Sequence, residues 1–528
     1  MRNVVSGASV TLARRRAWSS DAASATTIAS PASSTGPPSG VMMLEINGRP
    51  RAVARGRRHQ HAANGGLRAP WLRALLLFCA LIGTAPLAAQ RAQLEKVVQR
   101  KTLPNGLEVI VIENHGVPLV TAEVTVRNGS FTQSPEYAGL AHLYEHMFFK
   151  ANDRYPNSDQ YIDEMSKLGA VFNASTREEQ VNYYLTVSAD SLEAGLQLLV
   201  TGFLSPKFRA DELERERQVV IGEYDRNESS PFFRMEQETG RRLYSTEWSR
   251  KNVIGDRAVI LGTTPEKMRT IQELYYVPNN SVLIIAGDVN PATAFAQAER
   301  IFGPWKRGAD PFVRMPVPPI PPVTASQAVI VEEDVNAVTV LIQWHGPSVR
   351  RDEAATFVAD VYSDVLNNPQ SRFQRRLVDS GLWQGIGVNY YTLNNIGPIS
   401  VSGQTTPERL REAIRVMLQE LRASVEPGYF SADELAATKA SRAVTTQFGM
   451  ERSSEFAHTI GFWWSVSGLD YYMKYIDEMA TRTTADLVRY ARTYIVGKPF
   501  VLGVLIPPGD RRRINLTERE LVLLGVAK

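Results

Sequence analysis

The pentapeptide His142-Leu143-Tyr144-Glu145-His146 constrains this chain more than any other stretch. Positions i and i+4 share one face of a helix, so both imidazoles can address a single metal ion while Glu145 lies beside them. A catalytic zinc usually takes three protein ligands and keeps a fourth position for water, so a further ligand is expected elsewhere. Downstream, in the run Asp211 to Tyr224, Glu216 and Glu223 are seven residues apart, about two helical turns, and face the same way. One could bind metal and the other support the site. A lone histidine is more often a surface or hydrogen-bonded core residue. Here, however, two of the five histidines after residue 89 fall inside one pentapeptide.

The order His-x-x-Glu-His inverts the commoner His-Glu-x-x-His zinc motif. With it the chain resembles the M16 metallopeptidases (pitrilysin, insulinase and mitochondrial processing peptidase), in their bacterial two-domain form. Glu223 lies 77 residues beyond His146, where that family carries its third ligand, and Glu216 fills the family's preceding glutamate position. The resemblance implies one zinc per chain held by His142, His146 and Glu223, with Glu145 as general base and Glu216 supporting the ligands. Gly169 to Thr176 resembles the family's substrate-binding edge strand, which implies Asn173 and Ala174 as substrate-binding residues. It also implies two homologous α+β domains, each a largely antiparallel sheet packed with helices, and peptides or unfolded segments as substrates.

One stretch departs from the family pattern. Active members often carry an arginine and a tyrosine in the second domain that help hold substrate. Anchoring on Gly381-Leu382 puts Leu377 and Gln384 in those places, with Arg375 and Arg376 nearby. A complete metal motif beside a degraded second-domain motif suggests the zinc-bearing subunit of a heterodimer, a homologous partner supplying the missing pair; a homodimer is the other arrangement. The contrasting reading is a non-catalytic structural or assembly subunit, a fate that normally goes with loss of a ligand.

The front of the chain reads separately. Residues 1–66 are rich in Ala, Ser, Arg, Gly and Pro without apolar periodicity, and read as disordered or as lying upstream of the true start. Residues 67–89 hold Arg68 and Arg73, a short apolar run from Ala74 to Thr84, then small residues up to Ala89. That is the layout of a secretory signal peptide, with an N-terminal membrane anchor as the alternative. Cleavage there predicts a periplasmic protein with no stable membrane span. Residues 90–528 carry 48 basic and 53 acidic side chains, a net charge of −5 against +4 for the whole chain, so nothing argues for nucleic acid. Cys79 is the sole cysteine, which leaves residues 90–528 without disulfide or thiolate chemistry.

From residue 90 strands and helices mix without the regular alternation of a doubly wound sheet, which predicts an α+β domain over 90–305. Strands are expected near 101–113, 117–126, 171–175, 181–187 and 281–288, with helices near 159–168, 189–203, 210–227, 263–274 and 291–302. Residues 306–326 read as a proline-rich linker and 327–528 as a second domain without the zinc motif. There strands are expected near 327–333, 338–345, 397–403 and 499–506, and helices near 352–366 and 407–424. The two domains end alike, Tyr275 to Asp288 and Tyr494 to Ile506 both reading helix end, turn and apolar strand. His345 and His458 are isolated and read as non-catalytic. Phe462-Trp463-Trp464 reads as core, with partner surface or chamber lining as alternatives.

Overall fold

A computed structural model describes residues 90–526. The readings of residues 1–66 and 67–89 lie outside the described residues. Six strands form one sheet: β1 Val98–Thr102, β2 Glu108–Glu113, β3 Leu119–Val126, β4 Val171–Thr176, β5 Val181–Ser188 and β6 Ser281–Gly287. Five form another: β7 Gln327–Glu332, β8 Val338–His345, β9 Gly385–Tyr390, β10 Pro398–Thr405 and β11 Val501–Ile506. The orders are β1-β2-β6-β3-β5-β4 and β7-β11-β8-β10-β9. Without β1 the two are wired identically, even to one parallel pair each, β2 with β6 and β7 with β11, among antiparallel neighbours. The repeated ending seen in the sequence is therefore β6 and β11, each entering its sheet from a preceding helix.

Four helices carry the site and join the halves: α1 Leu140–Phe148, α2 Ala210–Glu228, α3 Pro231–Tyr244 and α4 Ser453–Val466. The halves exchange two of these as covers. Helix α3 leaves the first half and lies on the second sheet, Met235 packing with Val329, Val331, Leu341 and Leu505. In return α4 from the second half lies on the first sheet. The approach is close enough that a Cβ on Gly461 would stand 2.5 Å from Glu123 Oε1. This crossing explains β3, whose Val120, Ala122, Val124 and Val126 join the core while the alternate Thr121, Glu123 and Thr125 are buried too. Strict alternation reads as one wet face; here α4 has dried it.

Several elements differ from the sequence expectation. The proline-rich segment is more than a spacer: Pro311–Arg314 forms a helical turn capped by Asp310, and Ile320 is buried with Leu243, Tyr244 and Val501. Between 424 and 499, where the sequence yields only a helix end at Tyr494, stand Ala432–Phe448, α4, Leu469–Thr481 and Thr484–Tyr494. Helix α4 is buried along nearly all of its length with polar and apolar residues mixed, and Ala432–Phe448 buries little beyond Leu435 and Thr438, so neither shows a clear amphipathic stripe. Strand β9 was obscured by Gly385 and Gly387. Phe462, Trp463 and Trp464 are all buried.

Candidate metal and catalytic centre

Helix α1 starts at a tight place. Gly139 caps it in the left-handed region (φ 91°), and a Cβ there would meet Ile254 O at 2.8 Å, so only glycine fits without displacement. No side chain of the cap residue satisfies the first turn. Gln133 does so instead, its Oε1 accepting from the backbone N–H groups of Gly139 (3.0 Å) and Ala141 (3.1 Å). Beyond the other end, buried Glu212 of α2 accepts from Ala151 N–H at 3.1 and 3.3 Å. The two helices are thus fastened to each other.

That fastening brings His142, His146 and Glu223 together, with one candidate ligand atom of each lying within 4.8 Å of the others. His142 Nε2 is 3.5 Å and His146 Nε2 3.7 Å from Glu223 Oε2. The imidazole planes cross at 87°, so the two rings approach from different directions. His146 Nδ1 faces Glu216 Oε2 at 3.3 Å, and Lys150 Nζ holds the other oxygen of Glu216 at 2.6 Å. Glu145 Oε2 accepts from Thr176 Oγ1 at 2.6 Å. Asn173 and Ala174 lie on β4, which pairs with β5 alone and leaves its outer edge open among the described residues; Asn173 Oδ1 accepts from Ala174 N–H at 2.9 Å.

The electrostatics fit a cation. His142 is fully buried with neither ring nitrogen hydrogen-bonded, a costly state for a polar group unless a ligand completes it. Burial, helped by the charge on His146, pushes its pKa down to about 3, which keeps the imidazole neutral and able to donate a lone pair. For His146 burial also opposes the charged form, but Glu216, Glu223 and Glu145 outweigh it and push the pKa up to about 10. The same negative potential that draws a proton to this spot draws a divalent ion. Burial drives the Glu145 carboxyl up to about 7, into the range of a working general base. Burial likewise opposes ionisation of Glu216, but His146 and Lys150 outweigh it and hold its pKa below the usual range.

Four residues in these contacts had no role in the sequence reading: Gln133, Thr176, Lys150 and Glu212. Glu212 lies one helical turn, four residues, before Glu216 on α2. Thr176 and Lys150 meet their partners only through the fold. In the second half, Leu377 is fully buried in the π-helical turn Arg375–Asp379, while Gln384 is exposed. Arg372 and Arg376 both turn to buried Glu420, each at 3.1 Å, and Arg375 is exposed. His345 meets the carbonyl of Leu243 at 2.8 Å, and His458 pairs with Glu123 at the junction of the halves.

Comparison with known sequences agrees with this architecture. Residues 108–255 match the insulinase (peptidase family M16) model and residues 263–442 the peptidase M16 inactive domain, together more than half of the chain. The chain belongs to peptidase family M16. It is 24% identical over 407 residues to the zinc protease PqqE of Helicobacter pylori, covering 74% of this chain and 89% of that one. Among solved structures, a protease from Helicobacter pylori matches with a TM-score of 0.69 at 22% identity, covering 78% of this chain and 99% of that one. The first half of the periplasmic protease PqqL from Escherichia coli matches with a TM-score of 0.68 at 16% identity, covering 82% and 97%. At these identities the structures speak for the fold.

Proposed function

We propose that the chain is a zinc-dependent endopeptidase acting on peptides or unfolded polypeptide segments. The observation that carries this reading is the convergence of His142, His146 and Glu223 on one buried spot, with Glu145 beside them. Relatives named as zinc proteases support it. His142, His146 and Glu223 would hold the ion, which when bound supplies Lewis acidity to the scissile carbonyl and acidifies a water molecule. Glu145 accepts that water's proton and passes it to the leaving amine nitrogen. Glu216, braced by Lys150, accepts from His146 Nδ1–H and so fixes the ring with Nε2 turned to the metal position. A substrate segment adds to the open edge of β4 beside Asn173 and Ala174, where backbone pairing selects for an extended shape more than for sequence.

This subunit works beside a homologous partner. Supporting that is the second-half pair, where Leu377 is buried and Gln384 stands in place of a tyrosine, leaving the substrate-holding cation and hydroxyl to another chain. The signal-peptide layout of residues 67–89 and the periplasmic neighbour PqqL support a periplasmic site of action. Among the described residues no helix is long and apolar enough to cross a membrane.

The test is digestion of an unstructured peptide library by the full chain beside its Glu145→Gln variant. The wild type should cleave, and the variant should retain zinc while losing about 10³-fold or more in kcat. Equal cleavage by both would remove Glu145 as the base. Wild type that cleaves only when a homologous subunit is added supports the paired arrangement, and full activity alone contradicts it.

A further inference from the structure

Thr176 is the last residue of β4 and sits where the open strand edge meets Glu145. We propose that Thr176 is a positioning residue that fixes the carboxylate of Glu145 and links docking of a peptide on β4 to proton transfer; this rests on the peptidase reading.

Three observations carry it. Among the described hydrogen bonds Thr176 is the sole donor to Glu145, and the 2.6 Å contact is short, as expected for a hydroxyl donating to a carboxylate. A glutamate without such a donor keeps its side-chain torsions free. Next, Thr176 is 9% exposed and its β-branched side chain has few rotamers, so the donor is itself held. It shares a strand face with buried Ala174, whose N–H meets Asn173 Oδ1. Lastly, β4 is bonded to β5 alone, with Thr176 opposite Val181, so the strand carrying the donor is the one with an edge still open. A peptide pairing there stiffens the strand that aims the base.

With Oε2 engaged by Thr176, Oε1 is left to take the proton. As the water oxygen bonds to the carbonyl carbon its O–H bond breaks toward Oε1; the same proton then goes to the amide nitrogen as the C–N bond breaks. A carboxylate displaced by about 1 Å can lose about 10²-fold in such a step without weakening substrate binding.

The experiment compares the full, zinc-loaded chain, with a homologous subunit added if the wild type needs one to cleave, with Thr176→Val, Thr176→Ser and Glu145→Gln, measuring kcat and KM on a fluorogenic unstructured peptide, zinc content, and calorimetric affinity for a short peptide hydroxamate. Thr176→Val should keep one zinc and a KM within about threefold while kcat falls about 10–100-fold and hydroxamate affinity about tenfold; Thr176→Ser should recover most of both. Unchanged kcat in Thr176→Val overturns the proposal, as does a loss confined to KM, or a serine variant as poor as the valine one with zinc lost. Wild type that holds zinc yet, even with a homologous subunit added, neither cleaves nor binds the hydroxamate overturns the peptidase reading and this proposal with it. An active wild type with an equally active Thr176→Val overturns this proposal alone.

Discussion

Between β3 and β4 the first half inserts the helix bearing His142 and His146; between β8 and β9 the second half, wired identically, inserts Val349–Asn367 with Asp360 and Asp364. Both insertions bury ionisable groups, and they treat them in opposite ways. In the second half Asp364 receives both arms of Arg442 at 2.7 Å, and Asp360 accepts from Tyr475 Oη at 2.6 Å, so the donors and acceptors of this group answer one another. In the first half His142 is buried with neither ring nitrogen hydrogen-bonded, its Nε2 only facing Glu223 Oε2 at 3.5 Å. One arrangement is complete as protein and holds the fold together. The other is complete only with something added.

The comparison can be broken at its closed side first. Asp364→Ala leaves Arg442, whose side chain is 10% exposed, without its carboxylate partner. Removing one member of such a pair should lower stability by about 3 kcal/mol in urea unfolding. A change well under 1 kcal/mol would mean that the second-half cluster is not structural, and the contrast fails. At the open side, Lys150→Met frees Glu216 from its brace while touching no ligand directly. Zinc affinity, read by chelator competition, should fall about 10–100-fold. Unchanged affinity would show that Glu216 holds His146 unaided.

A smaller effect sharpens the contrast through pH. Burial pushes Asp360 up from 3.8 to about 6. An acid whose folded pKa lies above its unfolded one binds its proton more tightly when folded. Its contribution to stability is therefore full below pH 3.8 and is lost as pH rises through about 6. Asp360→Asn, neutral throughout, should flatten the stability profile across that window; an unchanged slope would assign it to other groups.

The grouping of His142, His146, Glu216 and Glu223 was legible in the sequence because its spacings, four residues on α1 and seven on α2, are local to single helices. The strand readings near 108–113, 119–126 and 281–287 rested on β-branched runs, which declare themselves without tertiary help. What the sequence concealed depends on contacts between distant residues. Thr121, Glu123 and Thr125 alternate like a solvent face, and the helix that dries them begins more than 300 residues later. Thr176 is 31 residues from Glu145, and only the return of β4 alongside α1 brings the hydroxyl to the carboxylate. In the second half Leu377 could be read as standing where the resemblance expects an arginine, but its full burial and the turn of Arg372 and Arg376 to Glu420 belong to packing.

The central claim is that the open cluster of the first half is a metal centre, and metal content tests it most directly. Purified chain, reconstituted with zinc and freed of excess, should carry one zinc per chain by elemental analysis, while His142→Ala, folded by circular dichroism, should carry none. Wild type that retains no zinc, or a His142→Ala variant that retains it fully, would contradict the account.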